Sequence, residues 1–539
     1  MLLALPFGAS AYGQTALDRV QPPIVKDERT PDEATAQAKP ARIDVDARPA
    51  PATPTRAVRV GAIVLHGLHS LTPSDFADIL ATRVAQTLPP QALSELTSAI
   101  AARARDRGLV FASAWIGPQQ LRNGVLTVEV DEGRIDEIRF DGPEQPAVRA
   151  ALAPLADGKP VRMDALERRL LIAGDIDGVR IRNSRYLREG QKGVLLVKLT
   201  VERVAGRVTL ANDGTKPIGP EQVTLQADFF GLLAQDDSLT LTWSETPAEF
   251  GELHFARVRY EKRVSRSGSE IALTASGSVA RPGAYLEPFG IRSRSWYVGA
   301  SVLQPLLRRR ATSLWFEGEL GVRNLSQHRR GNQVRDDRVV AARATLYGYA
   351  DVAGGRLRAS TTVSQGLRVF GSTEPGDLLA SRLDADGTFT TLSGWADWTR
   401  DLGDDFSLRL SMVSQLSSDP LLIGEEIGLG GTGFLRGYDW SERSGDEGVA
   451  GLVELRYALD HPLGLVRRAQ LYAFADGGKV TNQGGGFGSG SLASAGGGIR
   501  ADVTRSFGAN LELAMPLTGV RYDTNDETPK INFRLLKSF

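Results

Sequence analysis

The residues best equipped for chemistry lie in one run, Leu429-Gly-Gly-Thr-Gly-Phe-Leu-Arg-Gly-Tyr438. Within it Phe434, Leu435, Arg436, Gly437 and Tyr438 bring two aromatics and a cation together at a flexible backbone. Glycines at Gly428, Gly430, Gly431, Gly433 and Gly437 permit turns that other residues resist. The run lies in the long connection 419–448, between two amphipathic strands. Most connections run about 4–6 residues, so a long Gly-rich one is usually functional or disordered, and the aromatics argue against disorder. An arginine in such a loop can hold a carboxylate with its planar fork. One candidate acceptor is Asp476, in Leu471-Tyr-Ala-Phe-Ala-Asp-Gly-Gly478. There Leu471, Ala473 and Ala475 form a small apolar face, and Tyr472, Phe474 and Asp476 take the other. Glu454, inward on the preceding strand, is a second candidate. On residue types alone a surface-loop Arg unrelated to a strand-end Asp stays open.

Other chemistry finds little support. Gly428-x-Gly430-x-x-Gly433 matches a dinucleotide pattern, but no buried strand precedes it and no helix follows, so it carries no nucleotide site. There is no G-x-x-x-x-G-K-[ST] and no G-x-S-x-G. The histidines, His66, His69, His254, His328 and His461, lack metal-site context and read as surface or packing residues. The chain has no Cys, which excludes disulfides and thiolate metal sites. Its 64 basic and 64 acidic residues give no pull toward nucleic acid. The expectation is a protein that is not an enzyme and needs no metal, nucleotide or other cofactor.

The elements around the run are mostly strands. From 206 to 539 roughly sixteen segments of about ten residues alternate polar and apolar, the form of a transmembrane barrel. Leu239, Leu241 and Trp243 oppose Ser238, Thr240 and Thr242, for example, and Leu511, Leu513 and Met515 oppose Asn510 and Glu512. The register of 252–262 is obscured at Arg257. No stretch approaches the roughly 18 apolar residues of a membrane helix, so crossing a bilayer requires a closed barrel. Before the barrel, 58–133 and 134–205 each read as β-α-α-β-β. The first unit has strands at 58–65, 109–116 and 124–130 and helices at 72–87 and 91–107. The second has strands at 134–140, 179–187 and 193–202 and helices at 146–155 and 163–173. Residues 15–57 are a Pro-rich linker whose front could hold a short helix. Residues 1–14 read as the back half of a signal peptide, ending in Ala9-Ser-Ala11.

Leu435-Arg436-Gly437-Tyr438 and Phe474-x-Asp476-x-Gly478 resemble two motifs of the haemolysin secretion/activation transporters, a two-partner-secretion family of the BamA-type superfamily. The paired β-α-α-β-β units resemble that family's POTRA domains. The resemblance implies a mainly β protein, a 16-stranded transmembrane barrel preceded by two periplasmic α+β POTRA domains, in the outer membrane of a Gram-negative bacterium. It implies a pore that secretes a large partner exoprotein, of haemolysin or adhesin type, recognised through its N-terminal secretion domain. Open sheet edges of the units suit capture of an extended chain. It also implies that Arg436 reaches back into the lumen to pair with Asp476, with Phe434 and Tyr438 packing the tip on the wall. The helix in 15–33 would be a removable plug. Phe539, sharing a face with Ile531, Phe533 and Leu535, resembles the signal read by the barrel assembly machinery. The rival readings are an outer-membrane assembly factor, which usually carries more such units, and a passive porin or receptor, which has no use for them.

Overall fold

The computed structural model describes residues 43–45 and 56–539, apart from 122, 191, 465 and 523. The expected signal segment, and the linker and plug helix except at 43–45 and 56–57, lie outside the described residues.

In the first α+β unit, Ala62–His66 pairs in parallel with Val125–Asp131, whose other edge takes Ser113–Trp115. Helix Pro90–Asp106 covers this sheet, because Leu93, Leu96, Ile100 and Ala104 fall on one helical face and bury there. The long helix expected over 72–87 is shorter. A 3-10 turn, Pro73–Phe76, leads into Ala77–Ala81. Ala85 then takes a left-handed φ of 63°, which no continuing helix tolerates. The chain turns there into the strand Gln86–Leu88, paired with Val58–Val60.

In the second unit, helices Pro146–Leu152 and Met163–Gly174 pack on a sheet whose strand order is 43–45, 179–189, 192–201 and 137–141. The strand Ile43–Val45 lies parallel to Val179–Glu189, with Ile43 opposite Ser184. That edge, expected to be open, is therefore occupied by the chain itself. Phe111 of the first unit stacks on Tyr186 of the second at 3.9 Å and joins its core.

Sixteen antiparallel strands then close into a barrel, from Val204–Ala211 to Lys530–Ser538, and these two pair with each other. Closure removes the free edges that lipid could not satisfy. Leu273, Val298, Leu320, Leu346, Met412 and Leu471 stand exposed on the outside. Glu261, Asp397, Glu454 and Glu512 are buried on the inside. The fourth strand, Leu253–Arg263, pairs in unbroken register, with Arg257 opposite Thr242. Its pattern is obscured because Leu253 and Phe255, although apolar, are buried near the rim rather than exposed outside. Among the described residues no helix is long and apolar enough to cross a membrane.

Tight turns such as Ala353–Gly354 close one end of the barrel, and long connections, 367–389, 418–446 and 517–529, crowd the other. In outer-membrane barrels the short turns face the periplasm. The second unit docks at that end. Asp175 pairs with Arg308 at 2.6 Å, and Arg308, 1% exposed, also donates to the Tyr349 hydroxyl at 2.9 Å. Arg263 donates to the Ile172 carbonyl at 2.6 Å.

Candidate functional site

The connection 418–446 joins the eleventh barrel strand, Phe406–Ser417, to the twelfth, Glu447–Leu463. Its two limbs pair briefly, Ile427–Leu429 with Arg443–Gly445, and its tip turns into the lumen. Gly430 makes the return possible. Its φ is 113°, and a Cβ there would lie 2.1 Å from the Asp439 carbonyl oxygen. Gly431 follows at a φ of 96°. At the tip Leu435 accepts a left-handed φ of 61°. A non-glycine residue is held there only when its surroundings over-determine it. Gly437 lies against the fifteenth strand, Phe507–Pro516, so closely that a Cβ would meet the Met515 backbone at 2.8 Å.

Those surroundings are polar and specific. Asp476, on the thirteenth strand, Val466–Thr481, accepts the backbone N–H of Leu435 at 2.9 Å and of Arg436 at 3.3 Å. Ser494 donates its hydroxyl to the same carboxylate and accepts the Gly437 N–H at 3.1 Å. The expected side-chain pairing of Arg436 with Asp476 is therefore corrected. The two residues meet through the backbone of the loop, because the strained tip turns its N–H groups onto that carboxylate.

The guanidinium goes elsewhere. It reaches Glu454 at 2.8 Å and Glu512 at 2.8 Å, and its carbon lies 4.3 Å from the centre of the Phe474 ring. Both carboxylates have further partners. Glu454 also takes Arg456 at 2.6 Å and Arg500 at 2.8 Å, and Glu512 takes the Tyr472 hydroxyl at 2.9 Å. Glu454 thus acts as a main acceptor rather than a secondary one. Glu512 did not emerge as a candidate. Its sole signal was its place on the polar face of a recognised strand, with no motif around it.

Tyr438 is fully buried; its hydroxyl donates to the Thr518 carbonyl and accepts the Thr518 N–H at 2.9 Å. Phe434 packs against Tyr472, Phe474 and the Leu429 cluster. Lys530 of the last strand binds Asp439 at 2.7 Å, and Asn532 donates to the Arg436 carbonyl at 3.2 Å. Gly478 lies opposite Ala450 on the wall beside the loop. Phe539 pairs with Gly206 through its N–H at 2.9 Å and leaves its ring exposed. Among the described residues no group of His, Asp and Glu is set to hold a metal ion.

A closed barrel with α+β units at its tight-turn end and a loop latched inside defines an outer-membrane barrel protein with periplasmic domains. Residues 190–501 match the family profile of the haemolysin secretion/activation proteins ShlB/FhaC/HecB, and 58–133 match the ShlB-type POTRA domain. The outer membrane transporter CdiB of Escherichia coli is 25% identical over 524 residues, covering 93% of this chain and 87% of that protein. The heme/hemopexin transporter protein HuxB of Haemophilus influenzae is 21% identical, covering 82% and 80%. The solved structure of CdiB from Escherichia coli superposes with a TM-score of 0.73 at 20% identity, covering both chains fully. CdiB from Acinetobacter baumannii gives 0.64 at 15% identity, covering 99% and 100%. The chain belongs to the haemolysin secretion/activation family, the outer-membrane transporters of two-partner secretion. Its barrel lies in the outer membrane and its POTRA region in the periplasm.

Proposed function

We propose that the barrel passes a large exoprotein of haemolysin or adhesin type, captured in the periplasm by its N-terminal secretion domain. The observation that carries this reading is the loop tip latched in the lumen by Arg436, Glu454, Glu512 and Asp476. A passive porin has no use for two α+β units at its periplasmic mouth. The units 58–133 and 134–205 act as two POTRA domains. The capturing edge is Ala62–His66 of the first, which no described strand covers on its outer side and where Val64 is 49% exposed. An extended chain can add there by backbone hydrogen bonds.

On this reading the protein makes and breaks no covalent bond. Folding of the exoprotein outside supplies direction, so neither nucleotide nor other cofactor is required. The outward apolar faces contact outer-membrane lipid, and Phe539 on the last strand serves recognition by the barrel assembly machinery. Deletion of 58–203 tests the capture step. The truncated barrel should insert, keep its heat-modifiable gel mobility and secrete nothing. Undiminished binding of the exoprotein's N-terminal domain to that barrel would overturn the assignment.

A further inference from the structure

The tip is only one end of the loop. Near its start, Glu425 enters the barrel mouth and meets Arg343 of the eighth strand, Asn332–Val352, through two contacts of 2.8 and 2.9 Å. Arg323 of the seventh strand, Thr312–Arg329, stands 3.9 Å from the same carboxylate and donates to the Gly424 carbonyl at 3.2 Å. Leu421 and Leu422 pack on Val339 and Ala341 of the eighth strand and on Phe389 of the neighbouring connection 367–389. The tip's partners Glu454, Asp476, Ser494, Glu512 and Lys530 belong to the twelfth to sixteenth strands. The eighth and fifteenth strands are seven places apart in a closed ring of sixteen, close to half the circumference. The loop therefore spans the lumen as a bar, with an ionic anchor at each end.

We propose that Glu425, clasped by Arg343 and Arg323, is a second latch on the wall opposite the Arg436 latch, and that the pore clears only when both are released. Arg323 and Arg343 are positioning residues, because they act by holding the loop. Two like charges side by side in a lumen repel; Glu319 of the wall stands 3.5 Å from Arg343, and Glu425 is the carboxylate the loop adds to reach both arginines. The outer limbs are tied as well. Arg382, from 367–389, holds Asp446 at 2.7 Å and Glu426 at 3.3 Å, and Asp446 also accepts the Gln483 N–H at 2.8 Å. Three outer connections thus converge where the neck enters.

The proposal rests on the barrel being a transport pore, but its test needs no exoprotein. Ion conductance of the full-length protein in planar bilayers would be compared for wild type, Arg436→Ala, Glu425→Gln and the double variant. Heat-modifiable mobility checks each barrel. Removing one partner of a shielded pair should raise the occupancy of the open state roughly tenfold or more in each single variant. Anchors acting separately multiply, so the double variant should show about the product of the two. Both Arg343 contacts to Glu425 come from one nitrogen, Nη2, so Arg343→Lys should stay near wild type, whereas Arg343→Gln removes the charge and should open the pore as Glu425→Gln does. Folded Glu425→Gln with wild-type conductance, or a double variant no more open than Arg436→Ala alone, would overturn the proposal. Should Glu425→Gln fail to assemble, wild-type conductance in a folded Arg343→Gln would overturn it equally.

Discussion

Replacing Asp476 separates a charge partner from a backbone cap. Its carboxylate accepts two buried N–H groups of the tip, from Leu435 and Arg436. Each buried donor left without an acceptor costs about 1–3 kcal/mol, so Asp476→Ala, which orphans two, should weaken the latch by about 2–6 kcal/mol. Asp476→Asn keeps one acceptor oxygen, and its amide can donate to the Ser494 hydroxyl, so its cost should stay near 1 kcal/mol. Arg436→Ala should cost about 3 kcal/mol, the low end for breaking a buried pair. Glu454 then retains Arg456 and Arg500, and Glu512 retains Tyr472, so neither carboxylate is stranded. Arg436→Lys cannot span both carboxylates and should lose about 1.5–3 kcal/mol, one charged hydrogen bond. Amide hydrogen exchange at Leu435–Tyr438 in the full-length protein reads these values. Local opening follows free energy, so Asp476→Ala and Arg436→Ala should each speed exchange by about a hundredfold or more and Asp476→Asn by tenfold or less. If Asp476→Asn lost as much protection as Asp476→Ala, the carboxylate would act through its charge and the backbone-cap account would be wrong.

Two further outcomes follow from other parts of the chain. Buried Glu132 accepts the N–H groups of His69, Ser70 and Leu71. Burial works against its charge, but the Ser70 hydroxyl and those N–H groups outweigh it and hold the carboxyl below its usual 4.5. A depressed carboxylate contributes stability that is full above the unfolded value and lost as pH falls through the folded one. Exchange protection of 69–71 should therefore hold at neutral pH and fall below about 4.5, and Glu132→Gln should flatten that dependence. Asp175→Ala should leave Arg308 without its carboxylate and loosen the second unit from the barrel by roughly 3–5 kcal/mol, read as faster proteolysis near 203 with an intact barrel. Unchanged cleavage would place the docking energy elsewhere.

The barrel was legible because membrane strands repeat one rule, apolar outward and polar inward, as Leu511, Leu513 and Met515 outside and Glu512 inside show. The rule blurs near the rims, where Leu253 and Phe255 bury inward and made Arg257 look misplaced. The helix at 72–87 was overextended because apolar spacing through Ile79 and Leu80 continues the helical period, while the stop at Ala85 depends on a pairing with Val58–Val60. At the site, glycines and an arginine flanked by aromatics announced a built loop, and the facing rule put Asp476 in the lumen. Which carboxylate the guanidinium meets depends on the stagger of strands twelve, thirteen and fifteen, and no single segment encodes that. Glu512 and Glu425 were missed for this reason. Each is one carboxylate among 64 acidic residues until the barrel brings it to Arg436 or to Arg343.

Transport itself can be measured with purified parts. The full-length protein, reconstituted in liposomes with its α+β units outward, would be given the unfolded N-terminal portion of a candidate exoprotein partner. No nucleotide would be added. Protease would then be applied outside. The account predicts a protected fragment that accumulates inside and disappears when 58–203 are deleted. Liposomes that conduct ions yet never protect the exoprotein would contradict it and leave a passive pore.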